Sequence, residues 1–185
     1  LPVGINIPNY DEIRMEIGFK NFSLSNVMFA VPIKRTSLKY FPEEYKDRYM
    51  RMFPDVRKIG IAIHELYGHG SGRLFSEEDV KSQSVPDLLS PGRYVKTFYP
   101  QGLTYSKAFG SIGASFEECR AEATSLFLSY TDTVMDIFGI DKKNRHEFQL
   151  CSAYSMFNLG LKALNNYSLE TSQWKQAHAQ GRFAI

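Results

Sequence analysis

His64 and His69 bracket the run His64-Glu65-Leu66-Tyr67-Gly68-His69, and the spacing of five between them constrains the surrounding chain more than any other feature. At about 100° per residue, an i,i+4 pair on a helix sits roughly 40° apart and an i,i+5 pair roughly 140° apart. A regular helix therefore turns the two rings away from each other. For both imidazoles to face one point, the turn must be overfilled, as in a π-bulge that closes an i→i+5 hydrogen bond. Gly68 is where the distortion is expected, because a glycine inside a helical pattern calls for a packing or conformational reason.

A second hexapeptide, Glu117-Glu118-Cys119-Arg120-Ala121-Glu122, supplies carboxylates. Two imidazoles and one carboxylate are the donor set of an open catalytic zinc site, whose fourth position is left for water. The first run is similar to the His-Glu-x-x-His helix of zinc peptidases, with one residue added. A chance pair of histidines and a solvated acidic helix face are the plain alternatives. Against them stands the rarity of histidine, of which the chain has four. Around the second run, Ile112, Phe116, Cys119, Ala123, Leu126 and Phe127 recur at spacings of three and four, which predicts a helix packed along that side. Glu118 and Glu122 share a face of it. If Glu118 binds a metal, Glu117 and Glu122 are placed to accept the second ring N–H of a ligand histidine.

The two hexapeptides together resemble the signature of the dipeptidyl peptidase III family of zinc aminopeptidases, whose first motif carries the same added residue. Gly4-Ile5-Asn6-Ile7-Pro8-Asn9-Tyr10-Asp11 and the segment from Trp174 to Phe183 also resemble family segments, so the likeness covers nearly the whole chain. The resemblance implies that His64, His69 and Glu118 bind one Zn2+ per chain and that Glu65 activates the attacking water. It implies that Glu117 and Glu122 support the ligand histidines and that His178 helps to stabilise the transition state. Asn6 and Asn9 match asparagines that bind the substrate backbone, and Arg182 matches an arginine near the site and is grouped with them as a substrate contact. Tyr67 and Phe116 depart from the family pattern, where leucine and tyrosine are common, but both keep a bulky character.

The activity implied is release of dipeptides from the N-termini of short peptides. The alternative is a non-catalytic zinc-binding or interaction fragment derived from such an enzyme. An intact Glu65 and His178 favour catalysis, since a structural zinc site needs neither and is closed by four protein ligands. The chain starts at Leu1 without a methionine and reads as an incomplete helical catalytic subdomain, residues 1–185, of a larger two-lobed protein. In the family, residues that grip the substrate's N-terminal ammonium lie upstream, so the missing lobe of the parent chain is the expected partner.

Composition bounds the remaining classes. The 185 residues are 43% hydrophobic and 23% charged with a net charge of +2, which fits one globular domain and gives no basic surface for nucleic acid. No apolar stretch approaches the roughly 18 to 20 residues of a membrane span, and no signal-peptide pattern opens the chain. Cys119 and Cys151 are too few for a disulfide scaffold and read as small buried hydrophobes, which points to the cytoplasm.

The expected fold is mainly α, a helical bundle with zinc ligands on facing helices, an irregular N-terminal segment and one long loop. Met28 to Ile33 reads as a short strand. One helix is expected near Pro42, and the zinc helix from about Pro54, with Val56, Ile59, Ile63 and Leu66 as its buried stripe. Gly68, Gly70 and Gly72 lack the lysine of a phosphate loop. Ser76 to Leu103 is expected to be the long loop. Further helices are expected over Ser106 to Phe138, Lys143 to Asn165, and Leu169 to the C-terminus.

Overall fold

The structure is a computed structural model that describes residues 3–7, 11–30, 32–72, 75–103 and 105–185. The described chain is mainly helical and divides into two compact units. One comprises Leu1–Ser71 with Ser115–Ile185, and the other is Gly72–Ala114.

In the first unit, strands β1 (Gly4–Ile7) and β2 (Lys20–Ser23) pair antiparallel, with Asn6 opposite Asn21, and flank the short helix α1 (Asp11–Glu16). Met28 closes a single helical turn, α2 (Ser25–Met28), so no strand forms among the described residues of the stretch expected from Met28 to Ile33. Helix α3 (Glu43–Ile63) runs without interruption through Pro54, where two helices were expected. An interior proline costs about 3 kcal/mol or more. Burial of Tyr49, Val56, Ile59 and Ile63 along one face offsets that cost.

The wide turn His64–His69 continues α3 as a π-helix, as the histidine spacing requires. It also changes which residues face inward. Leu66, expected on the buried stripe, is 42% exposed because the wider turn shifts its phase relative to Ile63.

A helix of five residues, α4 (Glu77–Lys81), opens the second unit. The Ser76 hydroxyl accepts from the Asp79 N–H, and the Asp79 carboxylate accepts from the Ser76 N–H. The expected long loop therefore has structure of its own, including a bridge between Pro86 and Tyr94. Next come α5 (Tyr105–Phe109) and α6 (Gly113–Ser129), separated by a tight turn at Gly110 with φ of +54°.

The single helix expected from Ser106 to Phe138 is thus broken twice. After α6 the chain turns at Tyr130 and restarts as α7 (Asp132–Ile137), with the Thr131 hydroxyl accepting from Val134 N–H. Helix α8 (Arg145–Ala163) matches expectation. Leu169 onward is not one helix: β3 (Tyr167–Ser168) and β4 (Gln173–Trp174) form a small hairpin before α9 (Ala177–Ala184).

The apolar core gathers Ile59, Val134, Met135, Phe148 and Cys151 with Leu38 and Phe41, so α3, α7 and α8 share it. Helix α6 joins differently. Its buried positions are Ser115, Ala121, Glu122, Ser125 and Ser129, while Phe116 and Phe127 are 45% and 73% exposed and Ile112 just before it is exposed as well. Of the side expected to pack, Ile112, Phe116, Ala123 and Phe127 are thus exposed, while Cys119 and Leu126 are half-buried. The small, polar side faces inward because short side chains let backbones approach closely: the Ser125 hydroxyl donates to the Gly60 carbonyl of α3.

Candidate metal centre

Three glycines set the distances at which the site's elements meet. A Cβ on Gly68 would lie 2.8 Å from the Ala121 Cα of α6, so the π turn touches that helix at backbone contact. Gly68 has no positive φ, and its role is close approach rather than an unusual torsion. A Cβ on Gly181 of α9 would lie 2.8 Å from the Cys119 N of α6, and one on Gly160 of α8 would lie 2.8 Å from the Arg182 carbonyl oxygen. Larger residues at these positions would push the helices apart, and with them the groups they carry.

What they carry converges on one carboxylate oxygen. Glu118 Oε2 lies 3.3 Å from His64 Nε2, 3.6 Å from His69 Nε2 and 3.1 Å from His178 Nε2. It is buried and has no aligned hydrogen-bond donor among the described residues. A buried carboxylate oxygen without a donor is costly, and three imidazole nitrogens around it form a donor set of the kind that suits zinc. Donor atoms of His64, Glu118 and His178 all lie within 4.8 Å of one another.

Behind the histidines stand two further carboxylates. His69 Nδ1 is 3.0 Å from Glu117 Oε1, and His64 Nδ1 is 3.8 Å from Glu122 Oε2. Each of these carboxylates in turn meets an arginine. Arg120 donates to both oxygens of Glu117, and Arg182 donates to Glu122 Oε1 at 2.5 Å. His178 differs, because its Nδ1 lies 3.0 Å from the amide nitrogen of Gln176, a neutral partner. Gln176 also caps α9 through the Ala179 N–H, which fixes the start of the helix one residue before His178. His178 is not on a helix with Trp174, which lies in β4.

The electrostatics describe a pocket that attracts positive charge. Burial opposes a charge on His64, yet the carboxylates of Glu118 and Glu122 raise its pKa to about 9. Burial likewise works against ionised Glu117 and Glu122. His69 with Arg120, and His64 with Arg182, nevertheless bring these two carboxyls down to about 2. Glu118 is lowered against the same burial by His64 and His178. Three carboxylates held ionised against burial beside the imidazoles make a place that favours positive charge, which fits a divalent ion.

Glu65 feels the charges of the same cluster, His64 and His69 among them. Burial raises its pKa, and its side chain lies against β1: a Cβ on Gly4 would fall 2.6 Å from Glu65 Oε1. Of the expected substrate contacts, Asn6 lies in β1 with its side chain outside the description, and Asn9 lies outside the described residues. Arg182 is engaged by Glu122. Sequence reasoning did not single out Arg120, Gln176, Gly160 or Gly181. For Arg120 a signal existed, since it stands three residues after Glu117 on the same helix face. Cys119, expected to be buried, is only half-buried, and both cysteines are free.

Proteins named dipeptidyl peptidase 3 match along the whole chain, with 39% identity in Rattus norvegicus, 37% in Homo sapiens and 34% in Dictyostelium discoideum. The chain spans about a quarter of these relatives, 26% of the rat and human proteins and 28% of the Dictyostelium one. The family model described as Peptidase family M49 matches residues 1–185, and the chain belongs to that family.

Proposed function

We propose that the protein carrying this chain is a zinc-dependent exopeptidase that releases dipeptides from the N-termini of short peptides, with this segment holding its single zinc. The observation that carries the reading is the convergence of three imidazole Nε2 atoms on the orphaned Glu118 Oε2. The name of the relatives, dipeptidyl peptidase 3, supports the substrate class.

His64, His69 and Glu118 are the ligands in this reading. His69 is preferred to His178 because a ligand histidine is usually backed by an outer carboxylate or carbonyl. His64 and His69 each have such a carboxylate, whereas His178 faces an amide and is 37% exposed on its side chain. When bound, the zinc supplies the electrophile that acidifies water and polarises the peptide carbonyl. Glu65 takes the proton from the attacking water and passes it to the leaving amine. Its raised pKa suits a group that must both accept and release a proton. Burial lowers the pKa of His178, which keeps its ring neutral near pH 7 and able to donate one hydrogen bond to the developing oxyanion. Asn6 and Asn9 are the proposed contacts to the substrate backbone. Arg182, whose Nε and Nη2 meet Glu122, is proposed as a further substrate contact.

No helix among the described residues is long and apolar enough to cross a membrane. The cytoplasmic reading rests on the two free cysteines.

The test is metal content and dipeptide release on the full-length protein with Glu65→Gln, His64→Ala and Glu118→Ala. Glu65→Gln is expected to keep one zinc and lose about 10²- to 10⁴-fold in rate, and the two ligand variants to lose zinc. Undiminished hydrolysis by Glu65→Gln would remove it from the mechanism. A zinc-loaded full-length protein that cleaves no peptide would favour the non-catalytic alternative.

A further inference from the structure

We propose that Arg120 is a positioning residue of the metal centre, locking Glu117 against His69 and tying the end of the π turn to α6. The inference rests on the metal reading above and concerns a residue to which that reading gives no part.

Three of the guanidinium's N–H groups have separate destinations. Nε donates to Glu117 Oε2 at 3.0 Å, Nη2 to Glu117 Oε1 at 2.6 Å, and Nη1 to the Ser71 carbonyl at 3.0 Å. Glu117 Oε1 is also the oxygen that meets His69 Nδ1 at 3.0 Å. The chain of contacts therefore runs from the imidazole, through the carboxylate, to the guanidinium, and back to the backbone just beyond the π turn.

An ordinary i,i+3 pair on a helix surface does none of this. Such pairs contribute a few tenths of a kcal/mol and leave the carboxylate free to rotate. Here the forked contact fixes the carboxylate plane, and the third N–H reaches a residue 49 positions earlier in sequence. Arg120, Glu117 and His69 keep only 28%, 26% and 16% of their side-chain surface, so the arrangement is largely shielded from water. A lysine offers a point charge on a flexible stem and cannot serve the three directions together.

The π turn gives this contact a purpose. Regular helical hydrogen bonding does not dictate the ring direction of His69, so its orientation depends on what holds the turn from outside. Arg120 does so at Ser71 and at Glu117, and Arg14 donates to the His69 carbonyl. His64 has a separate arrangement, in which its neighbour Glu122 is held by Arg182 from α9.

The experiment measures the rate of zinc release to a chelator from the full-length protein, with thermal unfolding of the metal-free form recorded in parallel. Variants are Arg120→Met, Arg120→Lys, Glu117→Gln and the Arg120→Met/Glu117→Gln pair. Arg120→Met should speed release by about 10- to 100-fold, the range for lost outer-shell partners, and Arg120→Lys should recover part of the loss. Because Arg120 acts through Glu117, the double variant should release zinc no faster than the faster single variant. The metal-free unfolding midpoint should move little, which separates positioning from a general structural role. Wild-type release rates in Arg120→Met, or a double variant equal to the product of the two single effects, would overturn the proposal. So would full recovery by lysine. A wild-type protein that holds no zinc would overturn both this assignment and the metal reading beneath it.

Discussion

Along its middle, α3 buries Val56 and Ile59 among Met135, Phe148 and Cys151; at its end, the same helix delivers His64 into a cluster of carboxylates and arginines. The first region is held by apolar area, which is non-directional and tolerates exchange of similar volumes. The second buries polar groups whose pairing roughly repays their desolvation and yields little net stability. Its geometry comes from close glycine contacts and forked hydrogen bonds. One helix thus separates the source of stability from the source of chemistry, and substitutions in the two regions should have different signatures.

Phe148→Ala should have the largest effect, destabilising the protein by about 3–5 kcal/mol through a cavity in a fully buried position. Chemical denaturation would measure that loss, while zinc release from the fraction still folded should be unchanged; faster release would mean that the two regions are not separable. Gly68→Ala addresses the other region. Its new methyl meets the Ala121 backbone, so zinc binding is expected to weaken by about 10–100-fold, comparable to the loss of an outer partner. Metal titration checks this, and an unchanged affinity would show that the π turn can shift without cost.

Ser125→Ala probes the seam between the regions, where α6 touches α3. Loss of the hydroxyl's bond to the Gly60 carbonyl should cost about 0.5–1.5 kcal/mol, read from denaturant midpoints. The smallest effect concerns Cys151, whose thiol is pushed up to about 11 by burial, with a further push from Glu147. Alkylation of the native protein at pH 8 should be far slower at this thiol than after unfolding, and a fast native reaction would show that the core opens readily.

The two regions were unequally legible in the sequence. The π turn could be read directly, because histidines five residues apart cannot share a face on a regular helix. The core stripe of α3 was legible up to Ile63 and failed at Leu66, where the π turn itself changes the phase. The face of α6 was misread at four of its six positions. Periodicity picks out the apolar residues, such as Phe116 and Phe127, but packing at backbone distance selects serine, alanine and glycine instead. Gly181 was missed for a related reason, since its importance lies in contact with α6, distant in sequence; for Arg120 the spacing to Glu117 was a signal, but its bond to the Ser71 carbonyl was not visible along one helix.

The near contact of Gly4 with Glu65 also bears on when a cost is incurred. A glutamate side chain forfeits about 1.5–2 kcal/mol of rotamer freedom when it is held in place. With β1 drawn up against it so closely that no Cβ fits at residue 4, many rotamers of Glu65 are closed off in the folded chain. That entropy is lost during folding, so in the proposed role of Glu65 as proton acceptor less of it is left to lose when a substrate binds.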